Sequence, residues 1–298
     1  MPSHRKVERN GEPDASKLAS GLYVVATPLG NLGDISRRAI AVLGGVDVIA
    51  CEDTRVTARL LQALGIGRPR LVRYDDHASD RTRDELVDQI RAGKAVALVS
   101  DAGTPLISDP GYRLVRAVRE AGLAVTAVPG PSAAVAALSI SGLPTDRFLC
   151  SGFLPQKLGP RRKALKELAR VSATLVVFEA PHRLPECLAD MAAILGPREA
   201  AVVRELTKLF EETRRGTLDD LAAHYAAAGP PKGEVVIVVG PPPKSSDVAT
   251  DMAALDARLA TALATSSVRD AAAAVAEATG LSRRQVYARA LELAKGRS

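Results

Sequence analysis

The stretch Lys94–Gly122, KAVALVSDAGTPLISDPGYRLVRAVREAG, predicts a strand, a loop and a helix in succession. It begins with a short apolar run, which predicts a buried strand, and it ends with apolar residues at helical spacing. Between them lies the loop Ser100–Gly111. Loops that leave the carboxyl ends of strands in an open α/β sheet line the crevice in which ligands bind. This loop is therefore expected to contact a ligand.

The flanking sequence repeats the same pattern from Gly21 to about Gly142. Amphipathic helices are predicted between the strand segments, which are GLYVVAT, DVIAC, RPRLVRY and AVTAVPG. Such alternation favours a mostly parallel sheet with both faces covered. We predict an N-terminal α/β domain over residues 21–143.

The pattern changes after this domain. Strands are predicted in ATLVVFEA, EAAVVREL, EETRRGTL and GEVVIVVG, with a basic helix RRKALKELARV before them and further helices between them. Two of these strands follow each other without an intervening helix. We therefore predict a smaller α+β domain with an antiparallel component over residues 144–241.

The two ends of the chain differ from the domains in composition. Residues 1–20 are polar and mixed in charge, without the apolar core of a signal peptide, and are predicted to be a disordered leader. Residues 242–251 are rich in proline and small polar residues and are predicted to be a linker. Residues 252–298 are predicted to form a helical tail that resembles a helix-turn-helix. A small helical cap or a dimer arm is the alternative.

Composition limits the classes of partner. The net charge of +6 favours an acidic partner, although such a charge is also common in proteins that bind no nucleic acid. Aromatic residues make up 3% of the chain and Trp is absent, which argues against a surface of stacked aromatic platforms. The three cysteines lack the paired spacing of a zinc or redox site. We expect no metal, no membrane span and a cytoplasmic location.

The Ser100–Gly111 loop begins on an aspartate where a phosphate-binding loop would have glycines and a lysine. No GxGxxG follows the first strand, and GxxxxGK[ST] is absent from the chain. A carboxylate such as Asp101 suits hydroxyl groups or a positive charge, and Gly103 and Gly130 allow close approach of a ligand. S-adenosylmethionine has these features and no phosphate. The alternative is that Asp101 only caps the loop.

Seven motifs in order carry a resemblance to a known family, over about residues 21–240. They are VVATPLGNLGDISRRAI, CEDTR, SDAGTPLISDPG, VPGPSAAVAALSISGLPTDRFLCSGFLP, FEAPHRL, RELTKLFEE and KGEVVIVV. In these motifs the chain resembles the bacterial rRNA small subunit methyltransferase I family. That family comprises 16S rRNA cytidine-2′-O-methyltransferases and is a branch of the tetrapyrrole methylase superfamily.

The resemblance implies a two-domain, tetrapyrrole methylase-like fold, a homodimer, and S-adenosylmethionine bound between the domains. The positions that it assigns to the cofactor are Leu29, Asp101, Gly103, Thr104, Ser132, Ala133, Phe178, Glu179, Ala180 and Leu206.

Transfer of a methyl group to a ribose hydroxyl benefits from a base within hydrogen-bond reach of that hydroxyl. The polar and charged motifs CEDTR and FEAPHRL supply most of the candidates. The candidate catalytic residues are Glu179, His182, Lys208 and Glu52. Alternatively, Glu52, Asp53 and Arg55 form an ion pair that holds a loop.

Basic residues are the candidates for RNA contacts, which would give affinity and salt dependence. They are Arg55, Arg161, Arg162, Lys163, Lys166, Arg183, Arg283 and Arg284, with Arg289 on the same tail helix. A solvated helix face explains most of them equally well. The main functional hypothesis is a 16S rRNA 2′-O-methyltransferase that acts within the assembled small subunit. The alternatives are a small-molecule, tetrapyrrole-type methyltransferase and a ligand-sensing, DNA-binding regulator.

Overall fold

The computed structural model describes residues 18–67, 69–243, 252–279 and 281–295. The chain divides into two compact units, a first unit of residues 1–241 and a second unit of residues 242–298. The predicted leader up to residue 17 and the predicted linker from residue 244 lie outside the described residues.

Strands and α-helices alternate as far as β8, which β9 follows without an intervening helix. The strands are β1 Gly21–Val25, β2 Val48–Cys51, β3 Arg70–Arg73, β4 Ala95–Val99, β5 Val125–Val128, β6 Phe148–Phe153, β7 Thr174–Glu179, β8 Glu199–Arg204, β9 Glu212–Thr217 and β10 Val235–Val239. The helices are α1 Arg37–Gly45, α2 Thr54–Ala63, α3 Asp80–Arg91, α4 Tyr112–Glu120, α5 Ala133–Ser141, α6 Leu158–Leu168, α7 Leu184–Leu195, α8 Leu218–Ala228, α9 Met252–Ala262, α10 Val268–Thr279 and α11 Arg283–Lys295.

The first five strands form one parallel sheet in the order β3-β2-β4-β1-β5. Alternate residues of β4 face opposite sides, as the pleat of a strand requires. Val96 and Leu98 join the core under α3 and α4, whereas Ala97 and Val99 join the core under α1 and α2. Helices therefore cover both faces, as predicted. The carboxyl ends of all five strands lie at one edge.

The last five strands form a second sheet in the order β6-β7-β10-β8-β9. Only the β6–β7 pair is parallel within it, so the expected antiparallel component is present. Helices α6, α7 and α8 cover one face through side chains such as Leu165, Leu188 and Leu221. The other face is covered by α5, whose Ala137 and Leu138 pack on the strands. The sequence pattern groups α5 with the first domain. In the structure this helix follows the last strand of the first sheet and packs on the second sheet.

Two features of the first unit differ from the predicted elements. Strand β6 was not predicted, because Ser151 and Gly152 interrupt its apolar run and its register with β7 shifts at this point. The first domain also includes the end of the predicted leader. Leu18 packs against the core under α1, and the Ser20 hydroxyl donates to the Ile90 carbonyl at 2.8 Å.

The second unit is a bundle of three helices, α9, α10 and α11. Leu259, Val275 and Val286 form part of its core. Arg289 donates to both carboxylate oxygens of Asp256, at 2.8 and 2.6 Å, and so ties α11 to α9. In the described part of the chain, no helix has the length and apolar character needed to cross a membrane.

Candidate functional site

A cavity of about 430 Å³, the cleft, opens between the two sheets of the first unit. The loops after β1, β4 and β5 form one wall, and β6, β7 and the start of β10 form the other. Its lining is largely apolar, with four carboxyl groups from Asp101, Asp109, Glu179 and Glu234, and no basic side chain lines it among the described residues. Its volume is typical of small-molecule sites. A cavity of this character disfavours a phosphorylated ligand.

The loops of the first sheet are tied to one another at the cleft. Thr27 and Gly103 exchange two backbone hydrogen bonds, at 2.8 and 3.1 Å, and the Thr104 hydroxyl donates to the Pro131 carbonyl at 2.8 Å. Gly103 has a φ of 82°, and a Cβ there would lie 3.0 Å from Leu29 Cδ2. The glycine therefore allows the loops after β1 and β4 to close on each other.

The loop from Thr104 to Gly111 has an unusual backbone. Leu106 and Ser108 have φ values of 73° and 64°, which non-glycine residues rarely adopt. Across the cleft, a Cβ on Gly152 of β6 would lie 2.9 Å from Ser108 Oγ, so the loop packs directly against the second sheet. Strained backbone held by its surroundings is common at functional sites.

The Asp101 carboxylate stands at the end of β4 and accepts the Asp53 backbone N–H at 3.1 Å. Burial raises the pKa of Asp101, and this hydrogen bond opposes the rise. Its carboxylate is thus an acceptor held in place for a ligand that donates hydrogen bonds.

Glu179 ends β7 with a side chain only 1% exposed. One carboxylate oxygen, Oε1, accepts the Ala180 N–H at 2.7 Å and pairs with Arg183. The other, Oε2, is buried and has no hydrogen-bond partner within the described structure. The buried Cys187 thiol of α7 lies next to this carboxylate, and burial together with the carboxylate raises the pKa of that thiol.

Beside the cleft, Lys208 forms ion pairs with Glu205 at 2.9 Å and Glu234 at 3.0 Å. Burial lowers the pKa of Lys208, but the two carboxylates outweigh this effect and raise the pKa above its ordinary value. These ion pairs favour the ammonium form of Lys208. Its role as a base stays a prediction.

The chain is similar to known proteins in both sequence and fold. Residues 21–222 match the family described as Tetrapyrrole (Corrin/Porphyrin) Methylases, and residues 249–294 match the RsmI C-terminal HTH domain. Ribosomal RNA small subunit methyltransferase I of Mesorhizobium japonicum is 49% identical over 283 residues, which is 95% of each chain. The protein of the same name from Erythrobacter litoralis is 55% identical over 279 residues, 94% of this chain and 97% of that one.

The chain belongs to the ribosomal RNA small subunit methyltransferase I family. Solved structures share its fold. The methyltransferase CobJ superposes with a TM-score of 0.55 at 18% identity, over 74% of this chain and 94% of that chain. Uroporphyrin-III C-methyltransferase from Thermus thermophilus, complexed with S-adenyl homocysteine, gives 0.51 at 20% identity, over 74% and 97%. The tetrapyrrole methylase-like fold is thus confirmed, and the boundary predicted near residue 143 stays a prediction, since residues 1–241 form one compact unit.

Nine of the ten predicted cofactor positions of this family member line the cleft. They are Leu29, Asp101, Gly103, Thr104, Ser132, Ala133, Phe178, Glu179 and Ala180. The tenth, Leu206, is buried in the core between α5 and the second sheet and does not line the cavity. Their contact with a cofactor stays a prediction.

Two other candidate bases lie outside the cleft lining. Glu52 lines a neighbouring depression of about 590 Å³ that shares Asp101 with the cleft. Burial and the nearby Asp101 carboxylate raise the pKa of Glu52. His182 is exposed in a short 3₁₀ turn. The alternative prediction was an ion pair formed by Glu52, Asp53 and Arg55. Asp53 and Arg55 form an ion pair at 2.6 Å, and Glu52 is not part of it.

Two predicted RNA contacts are corrected by the structure. Arg161 is buried, and its guanidinium is bound to Asp190 at 2.7 Å, so it is not available to a phosphate. Arg183 is largely buried against Glu179. The burial of Arg161 was missed because helical periodicity does not show that Asp190, on α7, lies opposite α6. The burial of Arg183 was missed because the short turn after β7 that returns it to Glu179 has no periodic signal.

The other predicted RNA contacts reach solvent. They are Arg55, Arg162, Lys163, Lys166, Arg283 and Arg284, all exposed. Arg162 also binds Asp190, at 2.7 Å, and Arg289 of the tail is paired with Asp256 and Glu292. Exposed ion pairs are weak, so Arg55 and Arg162 can still exchange partners. A role in RNA binding stays a prediction for these six residues.

Sequence reasoning missed some residues at the cleft. They are Asp109, Phe153 and Glu234. For Asp109, the signal available in the sequence was the motif SDP at residues 108–110.

In the described parts of the chain, no group of three or more His, Cys, Asp or Glu side chains is placed to hold a metal ion. A depression of about 760 Å³ between α3 and α4 is lined largely by charged side chains that pair with one another.

Proposed function

We propose that the cleft binds S-adenosylmethionine, which supplies an activated methyl group on a sulfonium. The observation that carries this proposal is a small-molecule cavity lined by four carboxyl groups and, among the described residues, by no basic side chain. Asp101 and Glu179 suit the hydroxyl and ammonium groups of this molecule, and the apolar walls suit its adenine. A fold neighbour crystallised with S-adenyl homocysteine supports the same conclusion.

Asp101→Ala is expected to weaken binding of S-adenosylmethionine by about 1 to 3 kcal/mol, which is about 5- to 150-fold, because a buried hydrogen-bonded contact is lost. Isothermal titration calorimetry in the presence of a chelator measures it. Asp84→Ala, at an exposed position of α3 away from the cleft, is the matched control and is expected to bind normally. Unchanged affinity in Asp101→Ala would count against the assignment of this carboxylate.

We further propose that the methyl group goes to the ribose 2′-oxygen of a cytidine in 16S rRNA, recognised within the assembled small subunit. Family membership supports an rRNA substrate, since the relatives carry that name. The exposed basic residues of α6 and α11 supply charge for phosphate contacts. The test is incubation with radiolabelled S-adenosylmethionine and small-subunit particles, followed by mapping of the labelled nucleotide. Faster methylation of a porphyrin-type acceptor would favour the small-molecule alternative.

The second unit presents a basic surface suited to RNA. A depression of about 510 Å³, the tail surface, is lined by Arg269, Arg283, Arg284 and Tyr287. These three arginines form no ion pair with the described residues, unlike Arg289, and the Tyr287 side chain is 42% exposed. Arginines bind phosphate, and an exposed ring can stack on an unpaired base. The tail surface is therefore the proposed anchor for the RNA particle.

We also expect a cytoplasmic homodimer. Its support in this chain is a set of large apolar side chains in the first unit that are exposed, including Phe148, Phe153, Leu209 and Phe210. Exposed apolar groups of this size commonly mark protein interfaces. Light scattering at micromolar concentration is expected to give twice the 31.2 kDa chain mass, and a fully active monomer would contradict it.

A further inference from the structure

Four carboxyl groups line the cleft, and three of them already have strong partners. Glu179 and Glu234 are ion-paired, and Asp101 accepts a backbone N–H. Within the described residues Asp109 has no cation partner, and the Ser100 hydroxyl lies near its carboxyl group. Asp109 is therefore the carboxyl group of the cleft whose bonding capacity is least used.

The fold holds Asp109 in a fixed place. It follows Ser108, which has a left-handed backbone and packs against Gly152 of the second sheet. Leu106, two residues earlier, is also left-handed. Such a backbone persists only where the surrounding structure imposes it. Asp109 thus follows a segment held where the two sheets meet, and its carboxyl group lies near Ser100 and Asp101 at the end of β4.

We propose that Asp109 is a catalytic residue whose carboxylate accepts the proton of the acceptor ribose hydroxyl during methyl transfer. The inference rests on the proposed function, because it takes that acceptor to be a hydroxyl group. It replaces the candidates named from sequence: Lys208 is charged, Glu179 is engaged by Arg183, and Glu52 and His182 do not line the cleft.

The step balances in atoms and charge. The bond between the methyl carbon and sulfur breaks as the bond between that carbon and O2′ forms, and its electron pair remains on sulfur as a neutral thioether. The hydroxyl proton passes to a carboxylate oxygen of Asp109, which later releases it to water. A positioned base of this kind contributes about 10²- to 10⁴-fold to the rate.

The electrostatic surroundings of Asp109 suit this role. Burial raises the pKa of Asp109 to about 6, while the Ser100 hydroxyl opposes the rise and neighbouring carboxylates add to it. The carboxyl groups that act on it are Glu52, Asp101 and Asp76, from the first-sheet loops. Glu179 and Glu234 line the same cleft from the second sheet. A base whose pKa lies just below the working pH is ionised and still a good proton acceptor.

The experiment is a pH profile of kcat/KM for the wild type and Asp109→Asn, with small-subunit particles as acceptor. The wild-type rate is expected to fall about tenfold per pH unit below about pH 6, because the protonated carboxyl cannot accept a proton. Asp109→Asn is expected to have a kcat/KM about 10²-fold or more below that of the wild type at pH 7.5. Its profile should also lack the rise in rate up to about pH 6, which is the ascending limb of the wild-type profile. Asp109→Glu should restore part of the limb. Asp146→Asn, on an exposed loop, is the matched control.

Binding of S-adenosylmethionine by calorimetry shows that the variants are folded and loaded. An Asp109→Asn enzyme with wild-type rate and an unchanged limb overturns the proposal. If the limb disappears in Glu52→Gln instead, Glu52 is the base and the proposal is again overturned; Glu52→Gln should only move the limb to lower pH. Failure of the wild type to methylate the particles is a different result, which refutes the proposed function itself.

A measurement without catalysis tests the same group. A carboxyl whose pKa is raised on folding binds its proton more tightly in the folded state, so stability falls as pH rises from about 4 to 6. Asp109→Asn removes this loss. It is expected to raise Tm relative to the wild type at pH 8 and to leave Tm equal at pH 4. No difference at pH 8 would show that the carboxyl is not held in a buried environment.

Discussion

Asp190→Ala is expected to lower the free energy of unfolding of the first unit by about 3 to 5 kcal/mol. Asp190 binds Arg161 and Arg162, each at 2.7 Å, and the side chains of Asp190 and Arg161 are 5% and 4% exposed. Without the carboxylate, the Arg161 guanidinium stays buried without a counter-ion. The Glu186 carboxylate lies 3.7 Å from the Arg161 guanidinium and is exposed, so it replaces the Asp190 carboxylate poorly.

Urea unfolding followed by far-ultraviolet circular dichroism measures this change, since the chain has no Trp. Burial raises the pKa of Asp190, but the two arginines outweigh it and hold the pKa below the ordinary value of 3.8. The stabilisation is therefore present above about pH 4 and is lost as pH falls through the folded pKa, so the variant and the wild type should converge in acid.

Two controls separate the buried charge from simple truncation. Glu186→Ala removes an exposed carboxylate near the same arginine and should cost less than about 1 kcal/mol. The double variant Arg161→Met, Asp190→Leu replaces the pair by apolar side chains and should recover most of the loss. A single variant Asp190→Ala as stable as the wild type would mean that water reaches Arg161.

The first sheet could be predicted from sequence because its strands are short apolar runs separated by amphipathic helices. Strand β4, Ala95–Val99, is buried throughout and needs no partner to be recognised. Strand β6 is an edge strand broken by Gly152, so its pairing with β7 is visible only in three dimensions. The position of α5 is also visible only in three dimensions. Its small apolar residues fit either sheet, and its packing on the second sheet is determined by tertiary contacts.

For the site, sequence predicts which loops converge but not which side chains remain free. Parallel strands bring their carboxyl ends to one edge, so Asp101 and Gly103 could be placed at a ligand. The pairing of Glu179 with Arg183 and of Lys208 with Glu205 depends on local turns that no periodicity reveals. Those pairings decide which groups can accept a proton, and for that reason Asp109 emerges only from the structure.

Replacing Arg283 and Arg284 together by alanine is expected to weaken binding to small-subunit particles and to flatten its dependence on salt. Each lost phosphate contact lowers the slope of log K against log salt concentration by about 0.7 to 0.9. The double variant should therefore lose about 1.4 to 1.8 from the slope and bind at least about tenfold more weakly near 50 mM salt. Filter binding over a salt series measures both.

The matched control is Arg81→Ala with Arg116→Ala, which removes the same charge from α3 and α4, where each arginine is paired with a glutamate. If the effect were one of net charge, both double variants would lose the same affinity. The affinity for S-adenosylmethionine should not change in either, because the residues that line the cleft all belong to the first unit. If the Arg283, Arg284 variant keeps the wild-type salt slope, the tail surface does not touch phosphates, and the second unit must serve the enzyme in another way.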